Sequence, residues 1–382
     1  MEVNSRYSSD KKSSGRRVIK IALKILLAFC LCALILEGGT RLLLSVNIVH
    51  DWITDSYLCD TVWRWAWVDR HQKGDAADYT FTYSFDRYDA ARGWALKPNI
   101  SNVACFGNKI INTNSKGIRG KTEYAYAGNK DKLRILILGD SYTFGEEVSD
   151  TETFPYYLQQ MLPDTEVINF GVRGYGHDQM LIYLKEEGIK YKPDIIILGV
   201  ITGDASRNML KFRDYAKPKF ELLNKELKLV NVPVPDPETT LKDELWKSRF
   251  IGLLDILYSL VLRKTGIYEA EKEKLTNAIL EEMVTTANSI DAKPVFVYLE
   301  NIRSKEADRG MTKEEQNYFD ACKTMNVDCV FLRSLFQSAR RQGIKIKEDG
   351  HFDIITHRIV ARGIKEYLVK SGLAAKRRHS AR

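Results

Sequence analysis

Beyond Lys130 the chain alternates short, β-branched apolar runs with longer amphipathic stretches, and this alternation restricts the possible fold most. Arg134–Gly139 (RILILG), Glu166–Phe170 (EVINF), Asp194–Val200 (DIIILGV), Pro294–Leu299 (PVFVYL) and Asp328–Leu332 (DCVFL) are nearly continuous in apolar side chains. A strand with one wet face alternates apolar and polar residues, whereas a strand covered on both faces does not. Between the runs, Thr151–Leu162, Gly176–Lys190, Glu271–Ile290 and Lys313–Met325 carry apolar residues at helical spacing with lysines and glutamates outward. The pattern predicts βαβ units and a parallel sheet covered on both sides, over about residues 131–370. One connection is too long for it. More than 90 residues separate Val200 from Pro294, including Lys217–Pro237 (KPKFELLNKELKLVNVPVPDP), which reads as a small hairpin followed by a proline stop. A cap insertion over residues 205–270 is expected beside the carboxyl ends of the strands, where open α/β sheets place ligands.

With 44% hydrophobic residues in 382, the chain has enough apolar material for a sizeable core, which excludes wholesale disorder. The net charge of +8 suggests nucleic acid until it is located. The first 24 residues hold seven basic groups against Glu2 and Asp10, and residues 370–382 hold five and no acid, so the body between them is slightly acidic. A nucleic-acid binder carries its basic face on the folded body, so no nucleic-acid partner is expected.

The N-terminal basicity flanks an apolar run, VIKIALKILLAFCLCALILEGG from Val18. Val18–Leu36 gives 19 residues, enough to span a bilayer if Lys20 and Lys24 extend to the interface. A cleaved signal peptide is the rival, but no small-x-small site follows the run. The expected organisation is a basic cytoplasmic tail (1–17), an uncleaved single-pass anchor (18–44) and the remainder on the far side, because basic flanks stay inside. Residues 45–130, with Trp63-Arg64-Trp65-Ala66-Trp67 and Gly93-Trp94, show no sustained period and are expected to be an irregular lead-in packed on the main domain. A second basic tail occupies 371–382. Of six cysteines, Cys30 and Cys32 lie in the anchor; Cys59, Cys105, Cys322 and Cys329 allow three pairings, among which the sequence does not choose.

Three segments at strand ends carry polar chemistry. The first strand runs into Gly139-Asp140-Ser141-Tyr142-Thr143-Phe144-Gly145, a tight turn able to present Ser141 Oγ, although an ordinary serine cap reads the same way. The second ends in Asn169-Phe170-Gly171-Val172-Arg173-Gly174-Tyr175-Gly176, whose glycines let backbone N–H groups approach a bound oxygen. No Gly-Lys-Ser/Thr accompanies them, which argues against a phosphate loop. Near the C-terminus stand Asp349-Gly350-His351-Phe352-Asp353 and His357 before a helix at Arg358–Val369. A nucleophilic serine needs a base, and the base an orienting carboxylate; His351 and Asp349 can supply both. A metal site of Asp349, His351, Asp353 and His357 finds no further ligand cluster to complete it, so no metal or cofactor is expected. His351 is preferred to His357 because it follows Asp349 by two positions on a loop, with Gly350 between them.

In order and spacing, G-D-S-Y-T-F-G, N-F-G-V-R-G and D-G-H-F…H-R-I-V-A resemble the SGNH/GDSL hydrolase superfamily, and G-W…K-P-N before I-N-T-N-S-K-G-I-R-G resembles its membrane-anchored bacterial branch. The resemblance covers about Gly93 to Leu368. It implies a flavodoxin-like three-layer α/β/α domain that cleaves or transfers acyl groups, with Ser141 as nucleophile, His351 as base and Asp349 as its orienter. The backbone N–H groups of Ser141 and Gly174 would form the oxyanion hole. One departure matters: Thr202-Gly203-Asp204 puts Gly203 where the family has an asparagine donor, with Asn208 or Ser206 as candidate replacements. The expected function is an esterase or deacetylase acting on an O-acylated glycan, on the periplasmic side of a bacterial inner membrane. The alternatives are an O-acyltransferase serving an exopolysaccharide export machinery and a non-catalytic glycan-binding protein.

Overall fold

Each of the five apolar runs is a strand, and all five join one parallel sheet: β1 (Leu133–Gly139), β2 (Thr165–Gly171), β3 (Ile195–Val200), β4 (Lys293–Tyr298) and β5 (Asp328–Phe331), in the order β2-β1-β3-β4-β5. The computed structural model describes residues 3–54, 56, 58–73, 85–129, 131–299, 310–347 and 349–374. Residues 375–382, with Lys376-Arg377-Arg378 of the expected basic tail, lie outside them.

The helices named below are α1 (Val3–Leu44), α2 (Ser141–Phe144), α3 (Phe154–Met161), α4 (His177–Glu186), α5 (Thr202–Arg207), α6 (Arg249–Lys264), α7 (Ile267–Asn288), α8 (Lys313–Met325), α9 (Arg333–Arg341) and α10 (Ile354–Lys370). Alternate residues of the strands feed two separate cores. Leu136, Leu138, Ile196, Leu198 and Phe296 pack with Leu181 and Leu184 of α4, Ile279 and Met283 of α7 and Tyr318 of α8. Ile135, Ile137, Ile197, Val295 and Val297 pack with Leu158 of α3, Phe336 of α9 and Val360 and Ile364 of α10. Side chains of a strand point alternately to its two faces, so a continuous apolar run must meet helices on both. The domain is a three-layer α/β/α sandwich with the flavodoxin-like strand order.

The outer edge of β2 is closed by side chains. Gln159 Oε1 accepts from Val167 N at 2.8 Å, Gln159 Nε2 donates to the Thr165 carbonyl at 2.7 Å, and Tyr124 Oη donates to the Val167 carbonyl at 3.0 Å. An unpaired edge would otherwise invite strand addition. A disulfide between Cys322 and Cys329 ties α8 to β5, while Cys59 and Cys105 are free.

The lead-in departs from the irregular segment expected of it. It contains helices Asn47–Thr54 and Asp60–Lys73 and the short hairpins Asp86–Asp89/Gly93–Leu96 and Val103–Cys105/Lys109–Ile111. Helix Asp60–Lys73 shows no amphipathic stripe because it is buried on more than one side. Trp65 joins a cluster with Ile256 of α6, while Trp67 packs on Phe212 and Tyr215. In the insertion, strands Lys219–Leu223 and Glu226–Val230 form the expected hairpin, turned by Asn224 and Lys225, both at positive φ. The insertion is pinned to α4 by the wholly buried Lys217, which bonds Asp178 and the carbonyls of Arg207, Leu210 and Pro218.

Candidate active site

Ser141 opens α2 directly after β1, and the backbone there leaves no room for side chains. A Cβ on Gly139 would lie 2.0 Å from Thr143 Oγ1, and one on Gly171 would lie 2.2 Å from Phe144 N. Asp140 caps the turn, its Oδ1 accepting from Tyr142 N at 3.0 Å. Gly145, left-handed at φ 85°, ends it, its N–H donating to the Ser141 carbonyl at 3.0 Å. Asn169 of β2 braces the same turn. Its Nδ2 donates to the Thr143 carbonyl at 3.1 Å, and its Oδ1 accepts from Gly171 N at 2.9 Å.

The C-terminal loop brings the imidazole to this serine: Ser141 Oγ and His351 Nε2 lie 2.9 Å apart, across 210 residues of sequence. Tyr142 holds that loop in place, its hydroxyl donating to the Gly350 carbonyl at 3.2 Å and its ring packing against His351 and Phe352. Asp349 precedes His351 by two residues, with Gly350 between them at φ 76°. A second carboxylate faces the same ring: Glu147 Oε1 lies 3.7 Å from His351 Nδ1, and Glu147 also pairs with Lys347. Glu146 Oε2 is 3.7 Å from His351 Nε2 and is held at 2.8 Å by Arg173 Nε. The other histidine of the C-terminal segment is committed elsewhere. His357 is buried in α10 and its Nδ1 accepts from Phe154 N at 3.1 Å; burial pushes it down to about 3.

The donors proposed around the serine are divided by the fold. Gly174 has φ 73°, and the space a Cβ would need there holds the Arg213 guanidinium. Gly203 lies in α5 without a positive φ, and a Cβ there would make ordinary contacts, 3.6 Å from Ile201 Cδ1 and 3.7 Å from Arg207 Nη2. Neither strain nor crowding of the protein therefore demands glycine at 203. Asn208 is corrected as a spare donor. It is fully buried, its Nδ2 facing His177 Nδ1 at 3.1 Å and donating to Thr276 Oγ1 at 3.0 Å, so the amide serves α4 and α7. His177 belongs to that network and is likewise pushed down to about 3 by burial, with Arg207 adding to the effect.

Arg207 was not singled out in the sequence. Its Nη1 donates to Asp140 Oδ2 at 2.8 Å, to Asp204 Oδ1 at 2.6 Å and to the Tyr175 carbonyl at 2.9 Å, joining the ends of β1, β2 and β3 under the serine. The lead-in supports the site from outside. Arg119, from I-N-T-N-S-K-G-I-R-G, is buried against the Phe144 ring. It donates to Asp150 Oδ1 at 2.5 Å and to the carbonyls of Phe144 at 3.1 Å and Val148 at 2.9 Å. Trp94 Nε1 donates to the Arg173 carbonyl at 2.8 Å. Among the described residues no group of three or more His, Cys, Asp or Glu side chains converges as a metal site.

No match is found among protein-family profiles or curated proteins. Among solved structures, the chain is similar to that of TesA (12% identity, 62% of this chain and 98% of that one, TM-score 0.37). It is similar to a lipolytic protein of the G-D-S-L family from Desulfitobacterium hafniense (15%, 62% and 99%, 0.37). It is also similar to the acetylxylan esterase Axe2 from Geobacillus stearothermophilus (15%, 64% and 97%, 0.37). At that degree of similarity, the resemblance to SGNH hydrolases rests on this chain's own residues and topology.

Proposed function

We propose that the chain is a serine-dependent esterase of the SGNH type that removes acyl groups from an O-acylated glycan or a similar ester outside the cytoplasm. The observation that carries this is the 2.9 Å approach of Ser141 Oγ and His351 Nε2 at the carboxyl end of a parallel sheet. In the proposed reaction His351 Nε2 takes the Ser141 proton as Oγ bonds to the acyl carbonyl carbon. The carbonyl oxygen becomes an oxyanion facing the backbone N–H groups of Ser141 and Gly174. Its collapse breaks the ester C–O bond, the departing alkoxide takes the proton from His351, and water repeats the sequence on the acyl-serine. Asp349 is proposed to orient the ring through Nδ1, with Glu147 as the competing carboxylate.

The proposed location is the outer face of a bacterial inner membrane, with α1 uncleaved. Ile19–Leu44 is long and apolar enough to cross a bilayer. Glu37 within it bonds Ser248 Oγ at 2.7 Å and the Arg249 and Phe250 N–H groups at 3.0 Å, contacts that a removed leader would not make with the folded body. The enzymatic proposal is tested with a fluorophosphonate probe and a small acetyl ester on the wild type, Ser141→Ala and His351→Ala. Labelling and turnover should vanish in Ser141→Ala; equal labelling in the wild type and this variant would remove the assignment. An active alkaline phosphatase fusion at the C-terminus is the expected topology result, and an inactive one would reverse it.

A further inference from the structure

Helix α6 exposes a face that water does not suit. Ile251, Leu254, Leu257, Tyr258 and Val261 are between 47% and 66% exposed. At 3.6 residues per turn they fall within a sector about 120° wide. The other side is packed: Ile256 is buried, Gly252 lies against Trp65, and Asp255 Oδ2 accepts from Thr61 Oγ1 at 2.6 Å. Arg249, Arg263 and Lys264 stand at the two ends of the helix and leave the outward sector uncharged. Trp246 just before it is 90% exposed, and Ile48 and Trp52, just after α1, are 82% and 76% exposed.

The height at which α6 begins is set by α1. Glu37 accepts the N–H groups of Arg249 and Phe250 and the Ser248 hydroxyl, so it caps the first turn of α6. Glu37 follows Ile19 by 18 positions, about 27 Å of helix against a hydrocarbon thickness of about 30 Å. The cap therefore places the start of α6 at the outer boundary of the bilayer that α1 crosses. There, the medium beside an uncharged apolar sector is lipid. With 16 residues, α6 is too short to span.

We propose that α6 is a second, non-spanning membrane contact, its outward face set among the acyl chains and Trp246 at headgroup level. The proposal rests on the reading of α1 as an uncleaved anchor. Two attachments would stop the α/β domain from swinging freely about α1.

Full-length protein in phosphatidylethanolamine/phosphatidylglycerol vesicles, with Cys30, Cys32, Cys59 and Cys105 replaced by Ala, is labelled with an NBD fluorophore at one introduced cysteine. Leu27→Cys reports the anchor, Val261→Cys the α6 face and Lys225→Cys the exposed hairpin turn. All three labelling sites are exposed in the protein, so these three substitutions leave its packing intact. Doxyl-labelled lipids should quench the labels at 27 and 261, with shallow doxyl acting best at 261, and aqueous iodide should quench only the label at 225. A label at 261 quenched by iodide and not by doxyl lipid, with 27 quenched by lipid, overturns the α6 contact and leaves the anchor standing. Loss of lipid quenching at 27 overturns the anchor and the inference together. Shielding of 261 from both quenchers means that protein covers the face, and also overturns the lipid assignment.

Discussion

Gly171→Ala tests whether the glycine at the end of β2 is there for packing. A Cβ at 171 would lie 2.2 Å from Phe144 N, 2.6 Å from the Thr143 carbonyl carbon and 2.7 Å from Phe144 Cα, all of them backbone atoms of α2. Backbone cannot rotate away as a side-chain tip can, so α2 must move by roughly 1 Å, at a cost of about 1–3 kcal/mol for overpacking a core. Because α2 carries Ser141 and a distant loop carries His351, the shift disturbs the 2.9 Å approach. A misplacement of about 1 Å costs on the order of 10²-fold in rate. Urea denaturation and hydrolysis of a small acetyl ester should both register the change, with kcat falling even where the variant is fully folded. Gly203→Ala is the control. Its Cβ meets nothing closer than 3.6 Å in a helical setting, so stability should stay level or rise by up to about 1 kcal/mol. A Gly171→Ala enzyme with wild-type midpoint and kcat would refute the reasoning.

Replacing His351 by Ala should reduce ester turnover by orders of magnitude with little loss of stability. His357→Ala should cost about 2–4 kcal/mol, from a cavity and an unpaired Phe154 N–H, and leave the folded enzyme active; the reverse ranking in paired kinetic and urea measurements defeats the assignment. Asp349→Asn should lower kcat more than Glu147→Gln, and the opposite order would make Glu147 the orienting group. Burial pushes Asp86 up to about 7 against the opposing pull of Arg173. The folded state therefore holds a proton between pH ~4 and 7 that the unfolded chain has released, and this stabilisation is lost as pH rises through 7. The urea midpoint of Asp86→Asn relative to wild type should thus improve from pH 5 to pH 8; a difference independent of pH would refute the shift. Gly203→Asn should fold, as the open space beside residue 203 allows, and speed the hydrolysis of a small ester by adding a donor. A folded variant that labels normally and is no faster would mean the hole is complete without it.

Much of the domain was legible along the chain because its signals are local. Five continuous apolar runs could satisfy both of their faces only between two layers of helices, and their bounds shift by at most one residue at either end in the structure. Ser141 and His351 were likewise readable, one at a strand-to-helix turn between glycines and the other on a loop before a helix. Helix Asp60–Lys73 was not, because burial against both α6 and Phe212/Tyr215 erases the periodicity that marks a surface helix. Arg207 and Glu147 were hidden for a related reason. A charged residue in a sequence reads as solvent-facing until its partners are known, and those of Arg207 at Asp140 and the Tyr175 carbonyl lie 67 and 32 residues away.

Strand and helix assignments in the α/β domain therefore followed from short-range pattern, where the period of side-chain direction and the length of an apolar run are sufficient. Contacts between distant segments were decided only when the chain closed. Among them are the 2.9 Å approach of Ser141 to His351, the commitment of Asn208 to His177 and Thr276, and the bond from Glu37 to the first turn of α6. Each depends on the relative placement of elements whose spacing in sequence carries no distance information. A hydrogen bond acts over about 3 Å, so only packing can say which of several eligible groups is near enough to make it.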